Sequence, residues 1–158
     1  PNEEIYKKTC NPHHKDGWDR LMKSLETLQQ FPRSTIRLSV MKGLNLTNPE
    51  QYAEIIKKFP PMFVEIKAVM SVGYAQYRMS YEQMATHEEI IEFSQKIANF
   101  LGYKIVAEKK ESRVCLIMKE DEDRLIFFPK DIQNKLYQQE LKDKEEWEAI
   151  QKAKQHPK

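Results

Sequence analysis

Apolar and polar residues alternate over residues 35–41, Thr-Ile-Arg-Leu-Ser-Val-Met, and the alternation stops at Lys42-Gly43. A period of two is the mark of a strand, with Ile36, Leu38 and Val40 on one face and Arg37, Ser39 and Met41 on the other. Asn48-Pro49-Glu50 then opens a predicted helix, with Asn48 as N-cap and Pro49 at the first helical position. Tyr52, Ile55, Ile56 and Phe59 follow at helical spacing, and Pro60-Pro61 ends the run. A second strand is predicted over residues 62–67, with Val64 and Ile66 opposite Phe63, Glu65 and Lys67. Strand, short helix and strand in this order imply a right-handed crossover and a parallel pair.

A parallel strand covered by helices on both faces is apolar throughout. Here one face of each strand carries Arg37, Ser39, Glu65 and Lys67. A barrel or partial barrel accounts for this, with helices outside and polar side chains lining an interior open at the strands' carboxyl ends. Two ordinary strands with one solvated face are the alternative. Lys42 and Lys67 fall at those carboxyl ends, where active sites of such barrels are built.

Before this unit, residues 1–12 show no clear periodicity and read as loop or a worn helix end. Lys7, Lys8, His13, His14 and Lys15 form a basic cluster, either solvated surface or a phosphate contact. His13-His14 has no third ligand nearby. Residues 16–30 read as an amphipathic helix capped by Asp16, with Trp18, Leu21, Met22, Leu25 and Leu28 as one stripe covering the first strand. After the second strand, residues 71–80 have no clean period and suit a substrate-contacting loop. Thr86-His87-Glu88-Glu89 is a capping box opening a helix that runs through Ile90, Phe93, Ile97 and Leu101 to a left-handed cap at Gly102. His87, in its first turn, is read as structural or as catalytic. Two β segments, 103–108 and 113–118, form a predicted hairpin, and 124–128 a third antiparallel strand. From Pro129 a charged helix carries Ile132, Leu136, Leu141, Trp147 and Ile150, and residues 151–158 are expected to fray.

Length and composition narrow the class without choosing within it. The 158 residues suit one domain or a piece of one, and a first residue other than methionine suggests a cut from something longer. A net charge of +2 is too small to argue for nucleic acid alone, and no apolar run is long enough to cross a membrane. Cys10 and Cys115 are too few for a disulfide framework or a cysteine-only metal site, so a cytoplasmic setting is expected. No P-loop, dinucleotide fingerprint, internal repeat or Ser–His–Asp spacing is present.

With these residues in view, the chain resembles the carboxyl-terminal half of the tRNA 4-demethylwyosine synthase family, radical S-adenosylmethionine enzymes of wybutosine biosynthesis. The resemblance rests on 36–45, on 63–67, on Val72-Gly73-Tyr74, Arg78, His87-Glu88-Glu89 and Ser112-Arg113-Val114, and on Lys15-Asp16 and Trp18. It covers roughly residues 1–119 and is closer to the archaeal, flavodoxin-free form. It implies the carboxyl-terminal part of a partial (β/α)6 TIM-like barrel with an added antiparallel hairpin and a C-terminal helix. The divisions are 1–102 for the half-barrel, 103–128 for the antiparallel strands and 129–158 for the extension. The two strands would be the family's fifth and sixth.

The activity so implied condenses pyruvate with N1-methylguanosine in phenylalanine tRNA, using S-adenosylmethionine and a [4Fe–4S] cluster. Ser39, Met41 and Asn45 would flank the S-adenosylmethionine. Arg37, Glu65, Arg78, His87 and Arg113 would face the base, pyruvate or tRNA phosphate. Lys42 and Lys67 are the catalytic candidates, by charge pairing with a carboxylate or phosphate, or as a Schiff base with pyruvate. The family's Cys-x3-Cys-x2-Cys triplet is absent, so activity is expected only with the cluster-binding half. Ala68 and Ala85 stand where the family has glycine and proline. A bare barrel half leaves an open strand edge, so self-association or a companion chain is expected. A non-catalytic RNA-binding or interaction module on the same scaffold is the alternative.

Overall fold

The computed structural model describes residues 1–120 and 130–155, in two compact units, Pro1–Asp121 and Glu122–Lys158. In the first, β1 (Thr35–Val40), β2 (Phe63–Ala68), β3 (Lys104–Lys109) and β4 (Val114–Met118) form one sheet in the order β1-β2-β4-β3. β1 and β2 are parallel, joined through helix α3 (Pro49–Lys58); β4 runs antiparallel to both β2 and β3. The fold is thus mixed α/β, with the crossover unit on one side of the sheet and a hairpin on the other.

The sheet separates two unlike faces. On one, Val40, Val64, Ile66, Ala68, Cys115 and Ile117 are buried with Tyr52, Ala53 and Ile56 of α3. Ile90, Phe93, Ile97 and Ala98 of α4 (His87–Leu101) complete this core. Burying a Val or Ile side chain contributes roughly 1.5–3 kcal/mol, so this layer dominates the unit's stability. Burial pushes the Tyr52 phenol and the Cys115 thiol above their ordinary pKa values, as befits groups that stay neutral in a core.

Local chemistry sets the ends of α4. Thr86 Oγ1 accepts from the Glu89 N–H at 3.1 Å, Glu89 accepts in return from the Thr86 N–H at 2.7 Å, and Gly102 turns left-handed at φ +69°. Elsewhere the caps depart from expectation. Asn48 precedes α3 but its side chain makes no cap bond, because its backbone is left-handed at φ 50°. Asp16 precedes α2 (Gly17–Leu28) yet gives its carboxylate to Arg20 at 2.9 Å instead of capping. Of the two readings of the first residues, loop or helix end, the helix holds: α1 (Glu3–Cys10) forms there, capped by Asn2, whose side chain accepts from the Ile5 N–H.

Trp18, Leu21, Met22 and Leu25 of α2 face Ile36, Leu38, Ile55 and Ile56 across a cavity of about 210 Å3, closed by Ile5 and Tyr6 of α1. The α2 stripe therefore lies beside β1, as its spacing predicts. The second unit holds α5 (Lys130–Gln155), whose Ile132, Leu136, Leu141 and Trp147 are all exposed. The strand expected at 124–128 lies outside the described residues. Among those residues no helix is long and apolar enough to cross a membrane.

Candidate functional site

The other face of the sheet is the polar one. Register puts Arg37 opposite Glu65 and Ser39 opposite Lys67, all on the side away from α3 and α4. Arg37 Nη2 lies 2.9 and 3.0 Å from the two Glu65 carboxylate oxygens, and Lys67 Nζ donates to the Ser112 carbonyl at 2.9 Å. β4 adds Val114, Leu116 and Met118 to this face, and β3 adds Lys104 and Lys109, which pair with Met118 and Val114.

Lys104 and Lys109 are an odd number of residues apart, so plain alternation would put them on opposite faces. A bulge between Ile105 and Ala107 slips the register by one and brings both to the polar side. The strand residues of that face then carry four cations, Arg37, Lys67, Lys104 and Lys109, against the single carboxylate of Glu65. At one end Phe63 and Met118 are buried, so polarity is concentrated toward the carboxyl ends of β1 and β2. Such a face favours anions. Sequence reading missed the two β3 lysines because a bulge is a pairing property, not a local one.

The rim at those carboxyl ends is tightly tied. Asn45 is buried, and its amide closes the β1–α3 turn: Met41 N–H donates to its Oδ1 at 2.8 Å while its Nδ2 donates to the Ser39 carbonyl at 2.9 Å. The Tyr52 hydroxyl donates to the Asn45 carbonyl at 2.9 Å. Lys42 turns to the helix layer, where its Nζ lies 3.3 Å from Glu89, while its N–H donates to the Gln83 carbonyl. The β3–β4 turn closes the other side: Ala68 N–H donates to the Arg113 carbonyl, and Arg113 Nη1 donates to the Ala85 carbonyl at 3.0 Å. Arg113 does this from a left-handed backbone, φ 47°.

The residues proposed from sequence therefore divide. Arg37, Ser39, Glu65 and Lys67 share one open face. Met41 and Asn45 sit at its rim, and Arg78 is exposed on the loop after β2. Lys42, Arg113 and His87 make their contacts elsewhere. His87 is buried at the start of α4, its Nε2 3.3 Å from Glu108, which the same bulge turns to the helix side. It borders a depression running along α4 with Glu88, Ile91, Glu92, Gln95 and Lys96, which takes in no residue of the polar face.

Comparison with known proteins decides the family. A family model described as wyosine base formation matches residues 59–119, from the end of α3 through β4. An S-adenosyl-L-methionine-dependent tRNA 4-demethylwyosine synthase of Pyrococcus abyssi is 43% identical over 125 residues, covering 78% of this chain and 36% of that protein. The chain belongs to the tRNA 4-demethylwyosine synthase family. Its match lies in the carboxyl-terminal part of these synthases.

The synthase of the same name from Methanocaldococcus jannaschii is 28% identical over 118 residues, covering 75% of this chain and 37% of that protein. That of Danio rerio is 34% identical over 119 residues, covering 73% and 16%. The chain thus spans about a third of the archaeal synthases' length. A solved structure of TYW1 with a lysine–pyruvate adduct bound superposes with a TM-score of 0.68 at 25% identity, covering 76% of this chain and 38% of that one. The crystal structure of archaeal TYW1 gives 0.59 at 22%, covering 76% and 37%, a likeness of fold.

The residues present bear on the two cofactors expected from the sequence. Among the described residues no group of three His, Cys, Asp or Glu could hold a metal; Cys115 is buried and Cys10 exposed. An iron–sulfur cluster does not fit them. S-adenosylmethionine fits better: the Ser39 side chain is exposed on the polar face and Met41 is half-buried beside it, though the Asn45 amide is already spent on backbone.

Proposed function

We propose that this chain supplies the carboxyl-terminal part of a cytoplasmic tRNA-modifying enzyme that condenses pyruvate with N1-methylguanosine in phenylalanine tRNA, forming 4-demethylwyosine. The observation that carries this reading is the polar sheet face, cationic in balance, on a chain 43% identical to a tRNA 4-demethylwyosine synthase. On this proposal the sheet is the last portion of a partial (β/α)6 barrel, and the polar face is its interior. The parallel β1–β2 pair and the solved relatives' likeness support that geometry. Residues 1–102 form the half-barrel, with the antiparallel strands β3 and β4 packed on it and α5 as a charged extension. The remaining half, or a second copy, covers the outer edge of β1, which has no strand neighbour among the described residues.

Within this frame the chain binds and positions. Arg37 neutralises Glu65 and holds it in place, which leaves the Lys67 ammonium as the rim cation facing the interior. A pyruvate carboxylate pairs with it by a charge-assisted hydrogen bond, fixing the carbonyl carbon toward the base. Ser39 and Met41 would hold S-adenosylmethionine, which would supply the radical chemistry together with a cluster held outside the described residues. Lys104, Lys109 and Arg78 take phosphates or the base edge, while Arg113, bonded to the Ala85 carbonyl, fixes the hairpin turn, and His87 with Glu108 sets the angle at which α4 meets β3.

A second reading follows from the lysine–pyruvate adduct of the solved relative. Lys67 or Lys42 would attack the pyruvate carbonyl carbon with its nitrogen lone pair, expelling the carbonyl oxygen as water to leave a Schiff base. Borohydride reduction in the presence of pyruvate separates the two. Charge pairing leaves the protein mass unchanged, whereas a Schiff base leaves a reduced adduct that peptide mapping assigns to one lysine. The reading as a whole is tested by joining the chain to an archaeal cluster-binding half and measuring 4-demethylwyosine. A joined enzyme that is folded, cluster-loaded and inactive would sink it, leaving a non-catalytic RNA-binding module.

A further inference from the structure

The segment from Ser71 to Met84 joins β2 to α4, and in it an unusual share of aromatic surface faces water. Val72, Tyr74, Tyr77 and Tyr81 are 66, 86, 79 and 71% exposed. Tyr74 and Tyr77 are three residues apart in a short 3-10 helix, Gly73–Tyr77, a spacing that stacks side chains one above the other. Their ring centroids are 6.3 Å apart and their planes are tilted by 46°, so the two rings offer neighbouring faces rather than one closed stack. Arg78 follows at the end of this turn and is exposed.

The loop is anchored from below. Met79 and Met84 are buried, the Ser71 N–H donates to Met84 Sδ at 3.1 Å, and Ser80 and Gln83 form their own capping box. The Gln83 carbonyl accepts from the Lys42 N–H, which fixes the loop to the carboxyl end of β1. Buried methionines hold the backbone while the tyrosines point out, so the rings are presented rather than left over. Aromatic surface of this extent marks an interaction site.

We propose that Tyr74 and Tyr77, with Arg78 beside them, form a stacking platform for unpaired bases of the tRNA substrate. This rests on the tRNA reading above and assigns the contact with the RNA's unpaired bases to two side chains of the β2–α4 loop. Aromatic faces beside a guanidinium suit splayed bases, which offer π-surface and a neighbouring phosphate together; paired bases in a stem present neither face. The loop that carries the platform leaves the carboxyl end of β2 and is tied through Gln83 to the carboxyl end of β1, the end of the sheet at which Ser39 and Lys67 stand.

The test uses the full 158-residue chain and two RNA probes of equal length, one a stem–loop and the other fully paired. The chain binds the stem–loop in preference to the duplex. Tyr74→Ala and Tyr77→Ala each weaken that binding about tenfold, the loss of one stacked base, while Tyr74→Phe and Tyr77→Phe stay within about twofold. Both tyrosines are exposed, so thermal melts of the variants coincide with that of the parent. Stem–loop binding that survives both alanine variants overturns the platform and leaves the tRNA reading standing. No RNA binding by the parent chain overturns both. Self-association lost on Tyr74→Ala, seen by light scattering without RNA, assigns the patch to a second copy and overturns the platform too.

Discussion

Arg37 and Glu65 stand directly across from each other on adjacent parallel strands, with one guanidinium nitrogen in reach of both carboxylate oxygens. Arg37 is more than half exposed, so solvent screens much of the attraction. Arg37→Ala should cost no more than about 1 kcal/mol in urea denaturation. In the joined enzyme the same change should lower activity far more, since it frees Glu65 to compete for Lys67. Equal small effects on stability and turnover would show the pair to be surface decoration.

Lys67 is expected to bind a carboxylate. Lys67→Met in the joined enzyme should raise the KM for pyruvate by roughly ten- to a hundredfold, the value of one charged hydrogen bond, with a smaller change in kcat. Steady-state kinetics with pyruvate varied will tell; an unchanged KM removes Lys67 from the site.

Asn45, expected to flank S-adenosylmethionine, bonds through its amide to Met41 and Ser39. Asn45→Ala leaves the part-buried Met41 N–H and the Ser39 carbonyl without this partner, and should destabilise the chain by about 1–3 kcal/mol. Tyr52→Phe, which removes one bond to the same turn, should cost about 1 kcal/mol. Chemical denaturation of both variants checks the order.

The capping box on α4 gives a pH signature. The Thr86 N–H, helped by Lys42, holds the Glu89 carboxyl below its ordinary value of 4.5. A depressed folded-state pKa stabilises above the unfolded value and loses that stability as pH falls through the folded one. Thermal stability should therefore decline below about pH 4.5, and Glu89→Gln should flatten that part of the profile. Thr86→Ala should cost about 1 kcal/mol at neutral pH.

Lys104 and Lys109 reach the polar face only through the bulge in β3. If they contact phosphate, replacing both with Gln should lower the salt dependence of tRNA affinity by about two units of log–log slope. Filter binding across salt concentrations will show it; an unaltered slope places both lysines outside the contact.

What could be read from sequence follows from what is local. The strand alternation, the proline at the head of α3, the Thr86–Glu89 box and Gly102 each act within a few residues, and each is where periodicity put it. α1 was left between loop and a worn helix end because its eight residues bury nothing fully. The site was half legible. Alternation placed Arg37, Ser39, Glu65 and Lys67 on one face, but the destinations of Lys42, His87 and Arg113 depend on where the hairpin and α4 approach. Those contacts join residues as far apart in the chain as Lys42 and Glu89, and no local pattern encodes them.

The reversal of direction between β2 and β4 brings the hairpin turn, with Ser112 and Arg113, up beside the end of β2. A sheet that stayed parallel would have placed another crossover there, rooted in a helix and costly to alter. A short turn has no such roots. Its length and composition can drift between lineages while every strand keeps its partner, so the wall next to Lys67 is the part of this scaffold freest to be reshaped for a different guest.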